Sequence, residues 1–185
     1  MSIQKQAVLT FKEIDQSTKT RHIFKSVQNI NDPRAIDIYP VTFHYLGRDQ
    51  LSKNGHPTNA ENAIFYASHI YAVSDQVYKN LKDNVELIPF FKALALSDPT
   101  NTTLAKRVQL SFKSMNFESI ILSLGQFQRM MHNHKHPLID YGQLAQDLYS
   151  MQFNYDSYFN VIRKWSQDFF ANTQTAPEDL TKDQA

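Results

Sequence analysis

The chain has 185 residues and a formal net charge of +1, a length suited to one domain or two small helical halves sharing a core. With 42% hydrophobic residues it can bury a real core, and with only four glycines and seven prolines it is poor material for hairpin-rich architectures. The absence of cysteine excludes a disulfide framework, a thiolate metal site and a cysteine nucleophile, and it fits a reducing compartment.

The first residues, Met1 to Gln6, lack the apolar centre of a signal peptide, and no stretch is apolar enough to span a bilayer. A cytoplasmic protein is expected. Thr20 to Gln28 and Pro33 to Leu46 read as helices, the second disturbed by Pro40. His44 to Thr58 reads as a long loop. Thr58-Asn59-Ala60-Glu61 is a capping box, so a helix is expected from about residue 59 to 75. Ile64, Ala67, Ile70, Tyr71 and Ser74 would form one narrow packing face.

Glu86 to Leu96 reads as a short helix with Pro89 in its first turn. Asp98-Pro99-Thr100-Asn101 breaks the chain, and Thr102 or Thr103 then caps a helix to about Ser114. Phe117, Ile120, Ile121, Leu124, Phe127 and Met131 make the clearest apolar stripe in the sequence. A polar loop, His132 to Pro137, follows. Asp140 is the N-cap of the next helix, with Tyr141, Leu144, Ala145, Leu148 and Met151 on its buried face. A last helix carries Tyr155, Tyr158, Phe159, Ile162, Trp165 and Phe169. The pattern is all-α, a compact helical bundle. A soft division near Asp83 separates an N-terminal half, 1–84, from a C-terminal half, 85–172. Residues 173–185 form a tail expected to be mobile.

Catalytic signatures are scarce. There is no phosphate-binding glycine loop, no Gly-x-Ser-x-Gly elbow and no His-Glu-x-x-His. His132-x-His134-x-His136 has a spacing that matches no established zinc pattern and no acid near it in sequence, so no metal site is assigned. Asp140 and Asp147 sit i, i+7 and can share a helix face, but Asp140 already has a capping role. His22, His44, His56 and His69 stand alone. The aromatics around Trp165 repeat every three or four residues, which suits a helix core better than a base-stacking platform.

Charge distribution is more informative than its sum. The tail holds Glu178, Asp179 and Asp183 against Lys182, which leaves the body more basic than the whole. Between Pro99 and His136 the only acid is Glu118, against Lys106, Arg107, Lys113, Arg129 and Lys135. Lys106 and Lys113 share a helix face and Arg107 borders it. Such a row can contact successive phosphates without reading bases. A solvated helix face is the competing reading.

At this point the C-terminal half resembles CasB, the small subunit of the type I-E CRISPR Cascade complex. The resemblance rests on Ile139-Asp140-Tyr141-Gly142-Gln143-Leu144-Ala145-Gln146-Asp147-Leu148, and on Arg163-Lys164-Trp165-Ser166-Gln167-Asp168-Phe169-Phe170 in the aromatic helix. Ala105 to Lys113 looks like that family's basic helix, and Glu61 to Val73 like its central apolar helix. Two positions depart. A Leu-Gly-Arg-Ala-Leu pattern of the family stands here as Phe90-Phe91-Lys92-Ala93-Leu94, and its paired arginines after a leucine stand as Gly125-Gln126 after Leu124.

The resemblance implies an all-helical, non-catalytic subunit without cofactors that pairs with a second copy. Its partners would be the backbone and large subunits of Cascade, the crRNA and the target DNA with its displaced strand. Lys106, Arg107 and Lys113 are the expected centre of the nucleic-acid surface, with Lys92, Arg129, Arg163 and Lys164 as extensions. A purely structural protein–protein role is the alternative.

Overall fold

A computed structural model describes residues 1–81, 85–132 and 136–174. Among these there are nine α-helices and no strand. The expected turn at Asp83, the tail from residue 175, Lys135, His134 and the side chain of His132 lie outside the described residues. No helix among the described residues is long and apolar enough to cross a membrane.

Helix α1 spans Ile3–Ile14, a helix the sequence reading passed over. Ser2 caps it, accepting from the Lys5 N–H, and Ile3, Ala7, Phe11 and Ile14 fall on its buried side. Helix α2, Thr18–Ser26, starts two residues before the expected Thr20 because the Ser17 hydroxyl receives the Thr20 N–H at 3.1 Å. The expected helix Pro33 to Leu46 divides at Pro40. Pro33–Ile38 is a 3-10 turn, and α3 is only Tyr39–Phe43.

Helix α4, Asn59–Val73, begins at the capping box. Glu61 N–H donates to Thr58 Oγ1 at 3.1 Å, and Thr58 N–H donates to Glu61 Oε2 at 2.8 Å. Its packing face is not narrow. Ala60, Ala63, Phe65, Ser68, His69 and Ala72 are buried as well, because α1, α2, α3, α7 and α8 all pack around it. Small side chains on the far side let those neighbours approach, so α4 is the axis of the fold.

Helix α5 runs Phe90–Ser97 rather than from Glu86. The residues before it are extended, and Ile88 forms a parallel bridge with Ile139. Ile88 N–H donates to Leu138 O and Asp140 N–H to Ile88 O, each at 2.9 Å. Pro89 therefore takes the N-cap position. Helix α6 is Thr102–Lys113, capped by Asn101 rather than by a threonine, with Leu104 N–H on Asn101 Oδ1 at 2.8 Å. Helix α7 is Phe117–His132 and α8 is Tyr141–Ser150. Asp140 caps α8 as expected, its Oδ1 accepting from Gln143 N–H at 2.8 Å. Helix α9, Tyr155–Phe170, follows its Asn154 cap.

The α8 helix packs against α1, α4 and α9, while α5 packs on α7 and α9. Leu124, Phe127, Leu148, Ile162 and Trp165 are all buried. A polar seam crosses the core beside them. Gln76 exchanges two 2.8 Å hydrogen bonds with the Ile139 backbone, and Tyr141 N–H donates to the Tyr78 hydroxyl at 3.0 Å. Burial raises the pKa of Tyr71, Tyr78 and Tyr141, so these hydroxyls act as neutral donors and acceptors.

Candidate nucleic-acid interface

The seven basic residues singled out in the sequence fall into three settings. Lys106, Arg107 and Lys113 all belong to α6, which buries Leu104, Ala105, Val108 and Phe112 and turns its other side outward. Arg107 and Lys113 are exposed and Lys106 is half-buried. Neither Arg107 nor Lys113 makes an ion pair among the described residues. Leu110 stands between them, three residues from each, and is 65% exposed.

The chain around α9 approaches the chain around α6 at three places. Tyr158 lies beside Ser114, the Trp165 and Phe112 ring centroids are 6.4 Å apart, and Thr173 Oγ1 donates to Pro99 O at 2.8 Å. Arg163 is exposed on the side of α9 away from its buried stripe.

Lys164 and Lys92 have a different environment. Lys164 Nζ donates to both oxygens of Asp147, at 2.9 and 3.0 Å. The same carboxylate accepts from Trp165 Nε1 at 2.8 Å and from Gln143 Nε2 at 2.8 Å. Lys92 lies on α5 near Asp168 of α9. Burial raises the Asp168 pKa and Asp147 raises it further, while Lys164 and Lys92 pull it down. Two basic residues and two carboxylates thus share the ground between α5, α8 and α9. Asp140 and Asp147 have separate partners: Asp140 caps α8 and accepts from Gln4 Nε2 at 3.2 Å, and Asp147 is held by Lys164 and Trp165.

Arg129 is the third case. It is exposed, but its guanidinium reaches back over Gly125. A Cβ placed on Gly125 would stand 3.9 Å from Arg129 Nη1 and 4.0 Å from His69 Nε2. His69 is buried, with Nδ1 2.7 Å from Phe24 O, and burial, aided by the Arg129 charge, lowers its pKa. His69 is therefore neutral at pH 7 and links α2 to α4.

The departures from the family pattern have visible structural consequences. Phe91, where that pattern has glycine, is 1% exposed, and its ring lies 4.9 Å from Trp165, 5.0 Å from Phe112 and 6.1 Å from Phe127. It joins α5, α6, α7 and α9 in one aromatic cluster. Trp165 is core, as its spacing implies, but Tyr155 on the same stripe is 62% exposed. It is the first residue of α9, where the stripe runs past its cover. His136 pairs its ring with the Pro137 carbonyl at 2.8 Å, and among the described residues no group of three His, Asp or Glu side chains is placed to hold a metal ion.

Comparison with known proteins agrees with this architecture. The chain is similar in structure to CasB from Thermobifida fusca, with a TM-score of 0.61 and 15% sequence identity over 90% of this chain and 97% of that one. At that identity the likeness speaks for the fold. No curated protein matches the sequence. The family profile described as CRISPR-associated protein Cse2 matches residues 28–170, from just after α2 to the end of α9. The profile match over most of the chain shows the family: the chain belongs to the CRISPR-associated protein Cse2 family, the CasB-type small subunits of Cascade.

Proposed function

We propose that this chain is a non-catalytic Cascade subunit that holds nucleic-acid backbone and stabilises the crRNA-guided R-loop, in which target and displaced strands are separated. The observation that carries the reading is the outer face of α6. Arg107 and Lys113 are exposed there without carboxylate partners among the described residues, and Lys106 lies on the same helix. Cations in that setting neutralise phosphates and release counterions, so binding tracks salt and ignores sequence. Arg163 and Arg129 extend the surface. Lys164 and Lys92 contribute less, because their charges already face Asp147 and Asp168. Other Cascade subunits, crRNA, target DNA and a second copy of the chain are the partners, and the cytoplasm is the setting.

Each phosphate contact removed from a single strand lowers the salt slope by about 0.7. The decisive test is in the assembled complex. Lys106, Arg107 and Lys113 are replaced by alanine, assembly is confirmed, and R-loop lifetime is measured on matched target. A shortened lifetime supports the reading, and an unchanged lifetime at moderate salt overturns it.

A second reading, a purely structural protein–protein subunit, is favoured by Leu110. A large apolar side chain 65% exposed between two cations suits a protein neighbour. Leu110→Ser separates the two readings: it weakens assembly under the second and spares it under the first.

A further inference from the structure

The last described residues leave the fold beside the start of α6. Thr173 Oγ1 and the Gln174 N–H both donate to Pro99 O, each at 2.8 Å. Pro99 lies just before Asn101, the cap of α6. The chain is therefore fastened at the N-terminal end of the helix that carries Arg107 and Lys113. Residues 175–185 follow this anchor, and an extended chain of that length reaches about 35 Å. The 12 residues of α6 rise only about 18 Å. The segment is long enough to run the whole of α6 with slack to spare.

Its charge complements the surface it reaches. Glu178, Asp179 and Asp183 stand against Lys182 alone. Helix α6 carries Lys106, Arg107 and Lys113 and no acid, and Arg107 and Lys113 are exposed without a carboxylate partner among the described residues. The order along the chain matches as well. Leu180 lies between Asp179 and Asp183, as Leu110, 65% exposed, lies between Arg107 and Lys113. Asp179 and Asp183 stand about 13 Å apart on an extended chain, and Arg107 and Lys113 about 9 Å apart along the helix, a difference that long cationic side chains cover. Exposed ion pairs are weak between separate molecules. The anchor on Pro99 changes that, because a short tether holds the acids at a local concentration on the order of millimolar.

We propose that residues 178–183 bind back across the outer face of α6, with the acids on Arg107 and Lys113 and Leu180 over Leu110. The tail is then an intramolecular competitor of the phosphate backbone, and a strand must displace it to reach the helix. The competition rests on the nucleic-acid reading of α6, whereas the contact itself does not. The shield is partial, because each ion pair is exposed. Replacing the three acids by amides should raise strand affinity about two- to fivefold at low salt. The gain fades as salt screens the tail and the strand alike.

The chain has no cysteine, so Thr181→Cys in the full chain gives a single site for a nitroxide label. At low salt the label should selectively broaden the NMR signals of the Arg107, Leu110 and Lys113 amides. The broadening should fade with added salt, in the amide variant Glu178→Gln, Asp179→Asn and Asp183→Asn, and in Arg107→Ala with Lys113→Ala. Circular dichroism checks that each variant folds. The amide variant keeps the tether, so equal broadening in it means proximity without attraction and overturns the inference. Absence of broadening on α6 overturns it too, as does broadening of equal size when label and observed amides sit on separate copies. Anisotropy of a single-stranded oligodeoxynucleotide then compares wild type with the amide variant. A two- to fivefold gain that disappears when Arg107 and Lys113 are alanine supports the competition. An unchanged affinity overturns it, and an equal gain without the two cations assigns the effect to net charge and overturns it as well. Absence of strand binding by the amide variant at low salt overturns the nucleic-acid reading of α6, while the broadening still decides the tail contact.

Discussion

Lys113 and Lys164 are the same residue type, each on an amphipathic helix of the C-terminal half, and the structure gives them opposite work. Lys113 ends α6 exposed and without a carboxylate among the described residues. Lys164 is clamped on Asp147, which also accepts from the only tryptophan. The first arrangement leaves a charge available to an outside anion, and the second fastens α9 to α8. The difference shows that whether a cation stays available to an outside anion depends on what the tertiary fold withholds from it. Local charge counts do not contain that information, because Asp147 approaches Lys164 across a helix–helix contact.

The largest expected effect tests the inward side of that comparison. Trp165→Ala removes the ring that packs on Phe91 and Phe112 and leaves Asp147 without its indole donor. It should lower unfolding stability by about 3–5 kcal/mol, read by chemical denaturation followed by circular dichroism. Replacing Arg107 and Lys113 by alanine should stay within about 0.5 kcal/mol of wild type in the same experiment, because exposed side chains without partners carry little of the fold. A comparable loss from the α6 pair would erase the distinction.

The next effect isolates the carboxylate. Asp147→Ala strands the buried Trp165 N–H and releases Lys164, at a cost of about 1–3 kcal/mol. Lys164→Ala should cost less than about 1 kcal/mol, since its side chain is 41% exposed and solvent screens the pair. A double-mutant cycle between the two positions measures the coupling. Lys164→Ala should also change strand affinity less than Lys113→Ala does at the same salt. The reverse order would show that the Asp147 contact does not hold the charge back.

Much of this was open to reading in one dimension, and the exceptions share a cause. The stripes of α7, α8 and α9, the Thr58–Glu61 capping box and the Asp140 cap are local patterns, and local geometry realises them. Helix α1 went unnoticed although Ile3, Ala7, Phe11 and Ile14 have helical spacing, because polar Gln6 and Thr10 interrupt its buried face. Both are satisfied inside the fold: Gln6 Nε2 reaches Tyr45 O at 3.0 Å and Gln50 Oε1 at 2.7 Å, and Thr10 donates to Gln6 O at 3.0 Å. The start of α5 moved because Ile88 pairs with a segment fifty residues away. Of the basic residues, Arg107, Lys113 and Arg163 are exposed, each off the buried stripe of its own helix. The engagement of Lys164 and Lys92 depends on carboxylates brought in from other helices.

Arg129 tests the space between the two extremes, since its charge is exposed yet felt inside. The His69 pKa lies below its ordinary value, chiefly through burial and in part through Arg129. The unfolded chain then binds a proton at higher pH than the folded one. Stability that is present above about pH 6.5 should decline as pH falls through the window below it. Denaturation at pH 7 and pH 5 should show that decline, and His69→Gln should flatten the part due to this ring. Arg129→Ala should raise the His69 pKa toward its ordinary value in an NMR titration, because one repulsion is gone while burial remains. An unmoved titration would mean that the Arg129 charge points wholly to solvent, and would group it with Arg107.

The smallest effect belongs to Asp168, and its sign is the informative part. Its Oδ2 is buried without a hydrogen-bond partner, and its pKa is raised because burial and Asp147 outweigh the attraction of Lys164 and Lys92. A carboxyl with a raised folded pKa binds its proton more tightly in the folded chain than in the unfolded one. Its favourable contribution is complete below the unfolded value and is lost as pH rises through the folded value. At pH 7 the ionised group is therefore a net cost, despite two lysines nearby. Asp168→Asn keeps the shape and removes the charge, so the variant should be as stable as wild type or slightly more stable at pH 7. That advantage should disappear on acidification, when wild type is protonated too. Denaturation curves for both proteins at pH 7 and pH 4 check it. A clear loss of stability in Asp168→Asn at pH 7 would show that Lys92 and Lys164 outweigh the burial of this carboxylate, and would make the α5–α8–α9 charges a stabilising network rather than a balanced one.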